Sequence, residues 1–241
     1  DLHSFPTRRS SDLRLIKEKN ITLTPNYMQE EFLKNIRQLI QHGEDKAILV
    51  SATGTGKTYA SAFAVNDFKP KRFLFLVHRE QIAKQSIEAY KHVFKDHENF
   101  GLLSGNSKDY DKNYLFSTIQ TMSKDDVYTR FSKDYFDYIV VDEVHKAGAT
   151  SYLKVIKDYF KPKFLLGMTA SPERTDGFNI YDLFDNNIAH EIRLQEAMEE
   201  DLLCPFHYFG ITDVEFDNGE IDDDYTDFNL LARDKRVDYL I

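Results

Sequence analysis

The sequence predicts an α/β fold, a doubly wound and mostly parallel sheet with helices on both faces. Three observations predict it. Four short apolar runs, Ala47–Val50, Phe73–Val77, Tyr138–Val141 and Phe164–Met168, are continuous rather than alternating, as strands buried on both faces are. Stretches with helical spacing of apolar residues lie between them. The 241 residues include 19 Phe and 14 Tyr, enough apolar surface for a core and too much for global disorder.

The elements follow in chain order. Asp1–Leu13 shows no apolar periodicity and no apolar stretch of a signal peptide. Its HSFPTRRSSDL resembles a translated sequencing-adapter oligonucleotide, so residues 1–13 are read as non-native and set aside. Asn26–His42 places Phe32, Ile36, Leu39 and Ile40 on one helical face, and Gly43 stops it. The first apolar run leads into a glycine-containing turn and a helix beginning near Lys57. Gln81–Phe94 repeats the helical pattern with Ile82, Ile87, Tyr90 and Phe94, and Ser151–Phe160 and Leu194–Glu200 are shorter helices. Residues 14–212 then form one domain. Asp213–Asp227 carries eight acidic residues and no basic one, so residues 213–241 read as a solvated acidic linker and the start of a second, truncated domain.

Composition excludes several classes. The single cysteine, Cys204, rules out an internal disulfide framework and a multi-cysteine zinc site; beside Pro205 it reads as a core residue. No apolar run approaches the ~18 residues of a membrane span. With no targeting segment legible, the cytoplasm is the expected location. The formal charge of −9 argues against a generic basic coat for nucleic acid, though not against a local binding track.

Two segments carry chemistry. After the first apolar run comes Ser51-Ala-Thr-Gly-Thr-Gly-Lys-Thr58. Gly54 and Gly56 give the backbone the freedom to close its N–H groups around phosphate oxygens, and the following helix adds its positive N-terminal end. Thr53, Gly54, Thr55 and Gly56 would cradle a nucleotide, Lys57 would reach the β- and γ-phosphates, and Thr58 would set its hydroxyl on Mg²⁺. The strict pattern has glycine where this chain has Ser51, and a plain Gly/Thr turn is the alternative. The third run ends in Asp142-Glu143-Val144-His145. Two carboxylates at the end of an apolar strand are costly without a role at its mouth. Asp142 suits Mg²⁺ and Glu143 suits positioning or deprotonating an attacking water. His145 taken alone is more often structural. Both segments should lie at the carboxyl edge of the sheet, where the chain reverses its direction of travel.

These residues resemble superfamily-two helicases of the DEAD/DEAH-box (DExH) type, in the branch that contains restriction-enzyme motor subunits. The resemblance runs from Leu23 to about Asp213 and makes residues 14–212 the first RecA-like, ATP-binding domain. Ser51–Thr58 matches motif I, Asp142–His145 motif II and Thr169-Ala-Ser171 motif III. Leu76–Ile82 is similar to motif Ia, Ser117–Thr121 to motif Ib, and Pro25–Gln29 to the upstream segment whose glutamine reads adenine. The resemblance implies ATP with Mg²⁺ as cofactors. It implies Gln29 at the base, and His145, Thr169 and Ser171 in coupling hydrolysis to movement. Arg79, Thr118 and Gln120 become contacts to a nucleic-acid backbone, DNA being favoured over RNA. The plainer readings are a helix-start ion pair for Arg79, a helix cap for Thr118 and a solvated helix position for Gln29.

Family members hydrolyse ATP between two RecA-like domains, the second of which supplies an arginine to the transferring phosphoryl group. The intact protein is therefore expected to be a nucleic-acid-stimulated ATPase that translocates along or remodels DNA, and this chain alone to be nearly inactive. A P-loop kinase or GTPase is disfavoured, because no guanine-reading Asn-Lys-x-Asp occurs. A nucleotide-gated clamp or scaffold without strand separation is the other alternative. No nuclease motif is visible, so an associated nuclease would lie outside this segment.

Overall fold

The computed structural model describes residues 23–94, 99–148, 150–173 and 179–204. The chain divides after Cys204 into two units, and the described residues belong to the first. The N-terminal thirteen residues and the acidic stretch lie outside the described residues, as do Arg174 and Asp176, which the sequence reads as holding a turn over Ser171–Gly177 by hydrogen bonding.

The elements are α1 (Tyr27–Gln41), β1 (Lys46–Ser51), α2 (Lys57–Phe68), β2 (Phe73–Val77), α3 (Glu80–Phe94), β3 (Phe100–Ser104), β4 (Ser107–Lys108), β5 (Tyr114–Thr118), α4 (Ile119–Met122), α5 (Asp125–Tyr128), β6 (Tyr138–Val141), α6 (Thr150–Leu153), β7 (Phe164–Thr169), α7 (Ile180–Leu183), β8 (Ile188–Ile192) and α8 (Leu194–Glu199). A tight 3-10 turn, Val144–Gly148, follows β6, and α6 widens into a π-helical stretch, Lys154–Tyr159. All four apolar runs are strands, and the expected helices are present. Asn26 closes α1 with a capping box: its side chain accepts from Gln29 N, and the Gln29 side chain accepts from Asn26 N.

The sheet runs in the order β4-β3-β5-β2-β6-β7-β1-β8. Every neighbouring pair is parallel except β3–β4. Successive strand residues feed opposite cores, which is what period-two geometry requires. Ala47, Leu49, Phe73, Phe75, Tyr138 and Val140 pack with Phe32, Ile36, Ala60 and Tyr90 on one face. Ile48, Val50, Leu74, Leu76, Ile139 and Val141 pack with Ile119, Val144, Ile156 and Phe160 on the other. The chain leaves β1 toward β2 on one side of the sheet and leaves β7 toward β8 on the other, so the reversal falls between the adjacent strands β1 and β7.

Four strands escaped the apolar-run criterion for physical reasons, the shortest being the two-residue antiparallel edge strand β4. Gly101 interrupts β3, and Ser117 and Thr118 end β5 with buried hydroxyls; Ser117 Oγ donates to Leu103 O at 2.7 Å. The edge strand β8 carries half-buried His190 and Glu191, since only one of its sides is covered by a neighbouring strand. Cys204 corrects an expectation: it is exposed, not core. After α8 the inward positions go to Leu202 and Leu203, whose N–H groups both donate to Ala197 O, and this turns Cys204 outward.

Gly167 on β7 faces Phe184, and a Cβ there would overlap the ring. Gly167→Ala should therefore destabilise the domain by about 1–3 kcal/mol through overpacking. A urea titration would read this as a lowered midpoint, and an unchanged midpoint would contradict it.

Candidate active site

β1 delivers the chain to a loop whose bends at Gly54 (φ 95°) and Gly56 (φ 91°) lie in the left-handed region that only glycine enters freely. Between them Thr55 turns inward. Its hydroxyl donates to Ala52 O at 2.8 Å, so the 2.5 Å contact with Ser51 Oγ has serine as donor. Ser51 and Thr55 are buried. This hydroxyl pair braces the loop from within, which gives Ser51 a function where the strict pattern has glycine. Gly56 is the N-cap of α2, and the first N–H groups of that helix open onto the loop. Ser61 Oγ donates to Thr58 O and accepts from Tyr90 Oη, each at 2.8 Å, tying the first turn of α2 to α3. Thr53 and Gly54 are exposed, and Thr58 is half-buried.

Lys57 Nζ donates to Ser51 O at 2.9 Å and Ala52 O at 3.1 Å, so the ammonium is folded back onto its own loop with one proton left to offer. Burial pushes its pKa down, and the carboxylates of Glu143 and Asp142 push it back up. The two chemical segments thus feel each other's charge. The sheet explains why: β7 alone separates β1 from β6, placing their ends roughly 10 Å apart.

Asp142 leaves β6 with its N–H on Leu76 O and its Oδ1 accepting from Glu143 N at 3.0 Å. Glu143 sits at φ 52°, a left-handed conformation unusual for a residue with a side chain and held by the tight turn that follows. Its Oε2 lies 3.1 Å from His145 Nδ1, which in turn lies 3.0 Å from Thr169 Oγ1. A carboxylate only accepts, so Nδ1–H is the donor to Glu143. Thr169 Oγ1 then accepts from the same proton and from Ser171 N at 3.1 Å. Glu143, His145, Thr169 and Ser171 form one connected chain across the ends of β6 and β7.

Asp142 is 9% exposed. Burial, then the charge of Glu143, pushes its carboxyl up to about 6, against the opposing pull of the Glu143 N–H, Lys57 and Lys146. An acid raised in the fold holds its proton more tightly there than in the unfolded chain. The resulting stability is complete below the ordinary carboxylate value and is lost as pH rises through about 6. Asp142→Asn should therefore exceed the parent chain in stability at pH 7.5, by on the order of 2 kcal/mol, with the gap closing toward pH 4. Urea unfolding across that range checks it; a gap independent of pH would contradict it.

The remaining candidates divide. Gln29 is buried and links α1 to the loop: Oε1 accepts from Asn26 N at 2.9 Å and Nε2 donates to Gly56 O at 3.1 Å. Among the described residues, one of its amide N–H groups and one lone pair have no partner. Arg79 and Gln120 are exposed beyond the carboxyl ends of β2 and β5, and among the described residues Arg79 makes no ion pair. Thr118 is buried; its hydroxyl donates to Thr121 Oγ1 at 3.0 Å and meets Ser104 Oγ at 3.3 Å, and it is the N-cap residue of α4. Sequence reasoning passed over His78 and Lys146. Burial, then Lys146 and Arg79, hold the His78 imidazole below its ordinary value, which places the charges of Lys146, Arg79 and Glu143 around it at the mouth. Their adjacency to Arg79 and His145 was the available signal. Leu203, above Gly54, gave none.

The chain is 29% identical over 230 residues to the type I restriction enzyme EcoAI endonuclease subunit of Escherichia coli, covering 89% of this chain and 27% of that protein. It therefore spans about a quarter of the length of that relative. Among solved structures it resembles a nuclease-deletion mutant of the Type ISP restriction-modification enzyme LlaGI in complex with a DNA substrate mimic. The TM-score is 0.59 at 18% identity, covering 75% of this chain and 21% of that one. It also resembles the Sulfolobus solfataricus SWI2/SNF2 ATPase core in complex with dsDNA, with a TM-score of 0.57 at 21% identity, covering 68% and 36%. These likenesses agree with the doubly wound α/β fold. Residues 22–174 match the family described as type III restriction enzyme, res subunit, and the chain belongs to that family.

Proposed function

We propose that this chain is the ATP-binding first RecA-like domain of an ATP-dependent DNA helicase or translocase. The observation that carries the reading is the facing of Lys57 by Asp142 and Glu143 across the end of β7, with the glycine loop and the start of α2 beside them. A triphosphate draws Lys57 off Ser51 O and Ala52 O, and the N–H groups of residues 54–58 close on its oxygens. Thr58 and Asp142 supply hard oxygen donors of the kind Mg²⁺ takes together with waters and phosphate oxygens. Bound there, the ion neutralises charge on the transferring group. Glu143 orients and deprotonates the attacking water. Loss of its charge alters the acceptor of His145 Nδ1–H, and the Thr169–Ser171 turn is bonded to the same imidazole. Gln29 offers its free N–H and lone pair to the base. Arg79 and Gln120 point outward on the same edge as donors to a backbone, with Thr118 shaping the turn beneath. A second RecA-like domain completes the site from outside this chain. The family match and the DNA-bound structural relatives favour a motor acting on DNA over a passive clamp.

Isothermal titration of the chain with Mg·ATP and Mg·GTP tests the core of this reading. ATP should bind with preference over GTP, and Lys57→Ala should weaken it about 10-fold or more through loss of one charge-assisted contact. Binding unchanged by Lys57→Ala would overturn the site, and equal affinity for GTP would overturn the base assignment.

A further inference from the structure

The segment from β8 to Leu203 touches both the phosphate loop and the turn after β7. On the loop side β8 pairs with β1 through Ser51↔Ile192, and Ala52 N donates to Ile192 O at 3.2 Å. Leu203 Cδ2 stands 2.9 Å from where a Cβ on Gly54 would lie, so it covers the loop's first glycine bend. On the other side Arg193, the first residue after β8, reaches back across the sheet edge. Its Nη1 meets Glu173 Oε1 at 2.5 Å and its Nε meets Glu191 Oε1 at 2.5 Å. Glu173 lies two residues beyond Ser171, whose N–H is held by Thr169.

We propose that Arg193 is a positioning residue that ties the Thr169–Glu173 turn to the β8–α8 segment, so that this turn and the Leu203 cover over Gly54 move as one body when nucleotide enters. A planar guanidinium is suited to the task, because its fork holds two carboxylates at once and fixes the angle between them, which a lysine ammonium does not. Glu191 anchors the arginine to β8, and Glu173 is the tethered end. The pair lies partly in solvent, so its contribution to global stability is small and its effect is local. The proposal rests on the nucleotide-site reading and extends it: phosphate-loop closure is felt at the turn beyond Thr169 through β8, in addition to the direct His145 contact.

Hydrogen exchange on the whole 241-residue chain tests it, with and without a non-hydrolysable ATP analogue and Mg²⁺. Without nucleotide, Arg193→Ala and Glu173→Gln should each speed exchange in peptides covering 169–173 by about two- to five-fold, and the double variant should be no faster than either single one. With nucleotide, the parent chain should gain protection at 52–58, 169–173 and 194–203 together. Arg193→Ala should keep the gain at 52–58 and lose it at 169–173. Thermal melting within about 2 °C of the parent would show the fold intact. Unchanged nucleotide-free exchange in both variants, or additive effects in the double variant, would overturn the tether. If the tether effects are present but the analogue protects nothing at 52–58, the nucleotide-site reading fails, and the coupling with it, while the contact stands.

Discussion

The 241-residue chain on its own should bind Mg·ATP yet turn it over about 10³–10⁵-fold more slowly than the same chain joined to a second RecA-like domain, the range an arginine finger supplies. The placement of the arginines is the reason. Those among the described residues are Arg37, Arg72, Arg79, Arg130 and Arg193. Arg37 is paired with Asp67 at 2.6 Å on the face of α1 and α2. Arg72 donates to Asn113 and lies over the Tyr135 ring, at the start of β2 and so at the opposite edge of the sheet from the glycine loop. Arg130 stacks on Tyr110. Arg193 is held between Glu173 and Glu191. Among these five, only Arg79 combines exposure and the carboxyl edge with no ion pair among the described residues. Beside Lys57 and the start of α2, the described mouth holds Lys146, a point charge, and Arg79 beyond the end of β2; these suffice for binding, but apart from Arg79 no guanidinium fork there is left to meet the developing charge on the transferring group. Phosphate release at saturating nucleic acid, compared between the two forms, measures the difference. Rapid turnover by the chain alone would contradict the prediction, and its loss in Arg79→Ala would then identify an arginine acting in cis.

Sequence and structure agree most closely where one local rule decides the outcome. β1, β2, β6 and β7 lie inside the sheet, so both faces need apolar side chains and the runs are unmistakable. Gly54 and Gly56 mark left-handed bends that other residues resist. The agreement fails where a residue's role depends on a distant neighbour. Gln29 gives no local sign that its amide meets Gly56, because the two lie 27 positions apart and the contact exists only once α1 packs beside the loop. Thr118 looks available in the sequence, yet Ser104 and Thr121 engage its hydroxyl. The burial of Asp142 and the left-handed backbone of Glu143 follow from the 3-10 turn after β6, which no periodicity announces. Cys204 went inward on composition and outward in the fold, because Leu202 and Leu203 compete for the same two inward positions and win on apolar area.

Glu143→Gln should lower kcat of the two-domain protein by about 10²–10⁴-fold, the usual loss on removing a general base, while leaving nucleotide affinity within about three-fold. The amide keeps the shape of the side chain, and its oxygen still accepts from His145 Nδ1, so the contact to Thr169 survives. What disappears is the charge. Its removal reaches two neighbours in directions that can be worked out. Glu143 is the foremost charge raising the Asp142 pKa after burial, so Asp142 should ionise at lower pH in the variant and bind Mg·nucleotide better near pH 6. Glu143 is also the foremost charge raising the Lys57 pKa, so the ammonium should become easier to deprotonate. The expected pattern is a large fall in kcat, nearly unchanged binding at pH 7.5 and tighter binding than the parent near pH 6. Asp142→Asn should do the reverse, losing magnesium-dependent affinity at every pH. If Glu143→Gln weakened binding instead and spared kcat, the two carboxylates would exchange roles. If it changed neither, the strained backbone at Glu143 would serve only the turn, and the base would have to come from another group at the mouth, such as His145 or His78.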